Sequence, residues 1–154
     1  MGLDSYVTAK RYLWDFGENN DKDTAESIGK LFPEITGYRV KQVEVEAMYW
    51  RKANAIHQWF VDNVQDGVDE CQESWIDPQK LYELRDVCKA VLADRDQAAT
   101  LLPAQSGFFF GGTDYDEGYF DDVERTLKWL NGLLVKDTFD EKFKKWDFYY
   151  QASW

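Results

Sequence analysis

Apolar and polar positions alternate along the chain in some segments and recur at helical spacing in others. From Leu3 to Leu13 the alternation sets Leu3, Ser5 and Val7 on one face and Asp4, Tyr6 and Thr8 on the other, which predicts a strand. Tyr38 to Met48 repeats the pattern, with Val43, Val45 and Ala47 against Gln42, Glu44 and Glu46. Between them lies a polar loop around Gly17, Asn19, Asn20 and Asp21. A short helical stretch, Thr24 to Phe32, follows and is stopped by Pro33, so residues 15–37 read as a surface excursion. Trp50 to Val64 carries Ala53, Ile56, Phe60 and Val64 at helical spacing, and Asp66-Gly67 ends it. Glu70 to Ile76 has the length of a short strand.

Asp77 is a natural N-cap with Pro78 at the first helical position, and Leu81, Leu84, Val87/Cys88 and Val91 form the buried stripe of that helix. After Pro103, Phe108-Phe109-Phe110 between glycines reads as a short buried strand or tight loop. A further helix, from Asp116 to Val135, carries Phe120, Val123, Leu127, Leu130 and Leu134, and Phe143 to Trp154 returns to the sheet as a strand. The expected fold class is α+β: a single domain over residues 1–154, with an antiparallel sheet from the first, second and C-terminal strands and about three helices packed on one face.

Composition narrows the function classes. The formal charge of -11 repels phosphate backbones and argues against DNA as a partner. It leaves two readings, a solubilising surface or an acidic face for a basic protein. No apolar run reaches the ~20 residues of a membrane span, and the first residues lack a secretory pattern, so the expected location is the cytoplasm. Two cysteines, Cys71 and Cys88, without CxxC spacing fit free thiols in a reducing compartment. Aromatic residues make up 17% of the chain, enough to fill a core and still line a concave site.

One histidine excludes a zinc site built on a histidine pair and any two-histidine relay. Read as a helix, Trp50, Asn54, His57 and Val61 share a line, with Arg51 and Gln58 beside it. This polar edge is either a set of ordinary internal hydrogen bonds, with Arg51 pairing Glu46 or Asp114, or a ligand-facing edge. In the second reading Arg51 pairs a phosphate, Asn54 and His57 bond a base or ribose, and Trp50 or Trp59 stacks on the base. Phe109, in the aromatic run, and Tyr115 complete the candidate ligand-binding set of Trp50, Arg51, Asn54, His57 and Gln58. Gly111-Gly112-Thr113 lacks phosphate-loop spacing, and Asp114, Asp116 and Glu117 already occupy the helix start as caps. The acidic groups Asp66/Asp69/Glu70 and Asp114/Asp116/Glu117 lack the placement of a calcium loop, so neither metal nor cofactor is expected.

Met1-Gly2-Leu3-Asp4, Trp50 to Val61 (WRKANAIHQWFV) and Gln105 to Gly111 (QSGFFFG) together resemble small proteins encoded by phages and prophages. The likeness covers most of the chain outside Asp15 to Gly37. It carries no catalytic residues over. It implies a setting, anti-defence proteins that sequester a nucleotide immune signal or block a host protein, and so points to binding more than catalysis. The expectation is a nucleotide-derived small ligand held by a homo-oligomer, with a basic host protein as the alternative partner.

Overall fold

The computed structural model describes residues 2–18, 20–135, 138–139 and 141–154, so Met1 and Asn19 lie outside it. Strand β1 (Asp4–Tyr12) follows the sequence alternation: Ser5, Val7 and Ala9 are buried, and the residues between them face outward. It is central in an antiparallel sheet of order β2-β1-β6-β3, where β2 is Gln42–Arg51, β3 Ser74–Trp75 and β6 Asp147–Ser153, while β4 (Leu134–Val135) and β5 (Thr138–Phe139) pair in a separate ribbon.

The register on β2 shifts between Val7, opposite Met48, and Thr8, opposite Glu46. Ala47 is the extra residue of this bulge, and it changes which parity faces inward. Met48 and Trp50 therefore join Val45 on the inner side, and the strand runs on through Arg51. This corrects the helical reading of Trp50 and Arg51. Both belong to β2, because the buried indole of Trp50 extends the strand to the edge of the core.

The described residues contain five α-helices: α1 (Lys22–Lys30), α2 (Asn54–Asn63), α3 (Pro78–Ala93), α4 (Ala98–Leu101) and α5 (Glu117–Leu133). Three of these, α2, α3 and α5, cover the inner side of the sheet, as expected. The other two lie apart: α1, in the 15–37 excursion, buries none of its residues, and α4 is a single turn. Asp77 caps α3 by accepting from the N–H of Gln79 at 2.9 Å, and Asp116 caps α5 from Tyr119 at 3.0 Å. The stripe Leu81, Leu84, Cys88 and Val91 is buried, as its spacing requires. Burial pushes the Cys88 thiol up to about 12, which removes it as a nucleophile. No helix among the described residues is long and apolar enough to cross a membrane.

Aromatic rings join the layers. Phe60 on α2 stacks on Tyr150 of β6 at 4.1 Å, and Trp50 meets Trp129 of α5 edge-on at 5.8 Å. The indole N–H of Trp50 donates to Thr126 Oγ1 at 2.8 Å, and that hydroxyl donates in turn to the Asp122 carbonyl at 2.6 Å. Thr126→Val would leave a buried indole N–H without an acceptor, at a cost of about 1–3 kcal/mol in urea unfolding. Trp50→Phe should then cost less in the Thr126→Val background than in the wild type.

Candidate functional site

Beyond Arg51 the chain turns sharply. Lys52 has φ 56°, and α2 begins two residues later at Asn54. Asn54 does not cap its helix through its side chain. Its amide nitrogen donates to the carbonyls of Phe110 (3.2 Å) and Gly112 (2.8 Å), and its oxygen accepts from Gln105 N–H at 2.9 Å. A single buried carboxamide thus fixes the 105–112 loop against the start of α2. Leu3 adds two backbone bonds, donating to Phe109 O at 3.3 Å and accepting from Lys52 N–H at 2.7 Å. Leu3, the start of α2 and the 105–112 loop therefore meet at one corner of the fold.

That corner also concentrates unusual backbone. Lys52 (φ 56°), Phe109 (φ 63°) and Gly111 (φ 91°) adopt left-handed conformations close together. A Cβ on Gly111 would also come within 3.1 Å of Lys52 Cβ, so that position requires glycine. Such clusters of backbone strain persist where the surrounding structure over-determines them and are a pointer to function.

Beside the corner opens a cleft of about 500 Å³, between the β2–α2 turn, Gly111-Gly112 and the first turns of α5. Its walls are amphoteric. Arg51, Lys52 and Arg125 supply positive charge, and Asp114, Asp116, Asp121 and Asp122 supply carboxylates. Arg51 is 55% exposed and donates to Asp4 at 3.1 Å, a carboxylate that also accepts from the Tyr49 hydroxyl at 2.6 Å. The Tyr49 bond first, and the Arg51 guanidinium second, hold the Asp4 carboxyl below the usual carboxylate range. Arg125 reaches across from α5 to the Tyr49 carbonyl at 3.0 Å and lies 3.5 Å from Asp122. Burial outweighs that guanidinium, and the Asp122 carboxyl is pushed up to about 6.

The candidate residues named from sequence separate in space. Arg51 and Asn54 line the cleft. Trp50 is buried with its N–H on Thr126, and Trp59 is also buried, so neither offers a ring face for stacking. His57 is fully buried, with Nε2 3.0 Å from Asp69 Oδ2 and Nδ1 2.6 Å from the Tyr150 hydroxyl. A carboxylate only accepts, so Nε2 donates to Asp69, while Nδ1 shares the second bond with the Tyr150 hydroxyl. Both ring nitrogens are thereby engaged inside the protein. Gln58 donates to Asp62 at 2.8 Å on the outer surface of α2, and the Tyr115 hydroxyl accepts from Ala104 N–H at 3.1 Å. Phe109 is half-exposed at the corner, and its neighbour Phe108 is 80% exposed, while Phe110 is buried. The partner of Arg51 is Asp4, not Glu46 or Asp114.

Lys52, Arg125, Asp121 and Asp122 escaped the sequence reading. Lys52 lies in the same WRKAN run and could have been included. Arg125 and Asp122 read as ordinary polar positions of an amphipathic helix, and only the docking of α5 brings them to the cleft.

A raised carboxyl makes a signed prediction. The folded state holds the Asp122 proton more tightly than the unfolded chain, whose value is about 3.9, so stability declines as pH rises through the window from about 4 to about 6. Asp122→Asn should remove that decline. Its urea midpoint should exceed that of the wild type at about pH 7.5, and the difference should shrink toward about pH 4.5.

Comparison of the chain with family models, with curated proteins and with solved structures finds no match in any of the three.

Proposed function

We propose that the cleft binds a small nucleotide-derived ligand and holds it without cleaving it. The observation that carries this reading is the convergence of Arg51, Lys52 and Arg125 on one concave site opposite a bank of carboxylates. The cations suit phosphate oxygens. Asp114 and Asp121 are acceptors suited to ribose hydroxyls or an exocyclic amine. The size of the cleft lies within the range of small-molecule sites. The Tyr49 hydroxyl donates to the Asp4 carboxylate that holds Arg51, and the Tyr49 carbonyl accepts directly from Arg125; both bonds favour pre-set guanidinium planes, which reduces the ordering cost of binding.

Sequestration is the mode favoured by the engagement of the obvious nucleophile and base elsewhere. Cys88 is buried, and both nitrogens of His57 are bonded internally. The phage-like pattern supplies the setting, titration of a nucleotide signal of host immunity in the host cytoplasm. Asp122 supports a second reading, because a carboxyl near 6 can transfer protons at neutral pH, which would make the cleft hydrolytic.

One experiment separates the two. The purified protein is incubated with cyclic dinucleotides and ADP-ribose-type compounds, washed, heated and analysed by mass spectrometry. Sequestration returns the captured compound intact; a cleaved product would assign the cleft to hydrolysis. Arg51→Ala should weaken the binding of the captured compound about tenfold to a hundredfold, the equivalent of roughly 1.5–3 kcal/mol for a charge-assisted bond. Its melting temperature should move by no more than a few degrees, because the pair with Asp4 is solvent-screened. Unchanged affinity in both Arg51→Ala and Arg125→Ala would remove the cleft as the site.

A further inference from the structure

The side of the sheet away from α2, α3 and α5 has its own chemistry. The strand registers place its residues in rows: Glu44, Lys10 and Asp147; then Glu46, Thr8, Tyr149 and Trp75; then Tyr49, Tyr6 and Gln151; then Arg51, Asp4 and Ser153. Tyr12 stands beyond the first row, opposite Gln42. The face is thus floored by rings. Tyr6 and Tyr49 lie 5.3 Å apart, Trp75 is 50% exposed, and Tyr12 is also exposed. Carboxylates surround them. The two cations of the face are already paired, Lys10 with Glu73 at 2.6 Å and Arg51 with Asp4 at 3.1 Å. Glu44, Glu46 and Asp147 remain as its surplus negative charge.

We propose that this open face docks a lysine- and arginine-rich peptide segment of a partner protein. The chain itself displays the mode of recognition. Lys10 sets its ammonium 4.4 Å above the Tyr149 ring while Glu73 holds it from the side, and Arg39 lies 5.5 Å over the ring of Tyr12. A partner's cation over Tyr6 or Tyr49, beside Glu46, repeats that arrangement. Size selects a segment over a globular surface. The 28 residues of the four strands, at ~3.3 Å rise and ~4.8 Å spacing, give a face on the order of 400 Å², about half of the ~800 Å² that a stable globular interface buries per partner. Charge disfavours a second copy of the chain, because a two-fold pairing of this face sets its surplus negative charge against the same surplus. The face meets the cleft at Arg51, which edges both, but its Glu44, Glu46 and Tyr6 lie outside the cleft lining, so the proposal stands whether or not the cleft binds a nucleotide.

The test uses a fluorescein-labelled peptide of about ten residues alternating lysine, glycine and arginine, long enough to follow β1. Anisotropy is measured with the wild type, with Glu44→Lys/Glu46→Lys, and with Glu83→Lys/Asp86→Lys, which makes the same change of charge on α3 behind the sheet. The proposal expects salt-sensitive binding that weakens about tenfold or more in the sheet variant and less than about threefold in the α3 variant. Glu44→Gln/Glu46→Gln, which leaves the surface uncharged at both positions, should give an intermediate loss and serves if the reversed variant fails to fold. Equal losses in the sheet and α3 variants would reduce the effect to the overall charge of -11 and overturn the site. No binding at low salt would do the same. So would a wild type that sediments as a dimer which Glu44→Lys/Glu46→Lys dissolves, since the face would then belong to a second copy.

Discussion

The buried carboxamide of Asn54 is the constraint on which the candidate site depends. Its three bonds reach backbone groups more than fifty residues away and tie the first residue of α2, a helix whose N-cap Ala53 offers no side-chain cap, to the 105–112 loop. Those bonds settle where Phe110 enters the core, which carbonyls of the 105–112 loop point inward, and which wall of the cleft Gly111 and Gly112 form. An amide suits this place because it donates to two carbonyls and accepts from one N–H at once. A carboxylate of the same shape would oppose two carbonyl oxygens with a buried charge.

Much of the fold was legible because local rules and burial agree in it. The alternation in β1 matches its buried and exposed positions, and the Asp77-Pro78 start of α3 and the Asp116 start of α5 lie where capping chemistry places them. The misreading of Trp50 and Arg51 has a specific origin. Trp50, Asn54, His57 and Val61 keep helical spacing across a boundary that is marked only by the left-handed Lys52, and lysine gives no sign of that conformation in a sequence. The bulge at Ala47 adds to the difficulty, because alternation alone would send Trp50 outward. Three consecutive phenylalanines likewise carry no sign of which one is buried. Phe110 is selected by the Asn54 bond to its carbonyl together with the edge-on packing of its ring against His57.

The site was half legible for a related reason. Arg51 and Asn54 come from a single run of sequence, so their neighbourhood could be read directly. Arg125 and Asp122 come from a helix whose polar face is uniform in composition, and their meaning lies in how Thr126 and Trp50 dock that helix on the sheet. The single histidine, the most conspicuous residue for chemistry, is spent on holding Tyr150 and Asp69 together. A scarce residue type is a poor guide to function when burial has already assigned it a structural duty.

The strand order has a consequence for how the protein is made. In the order β2-β1-β6-β3, the strand nearest the end of the sequence inserts beside the strand nearest its start, with Asp4 opposite Ser153. While a ribosome is still producing the helices, β1 and β2 can form only a two-stranded ribbon whose inner side, with Val7 and Trp50, has no complete layer to rest on. The missing seam arrives last. Until residues 147–153 emerge, one edge of β1 is open to strands of other chains.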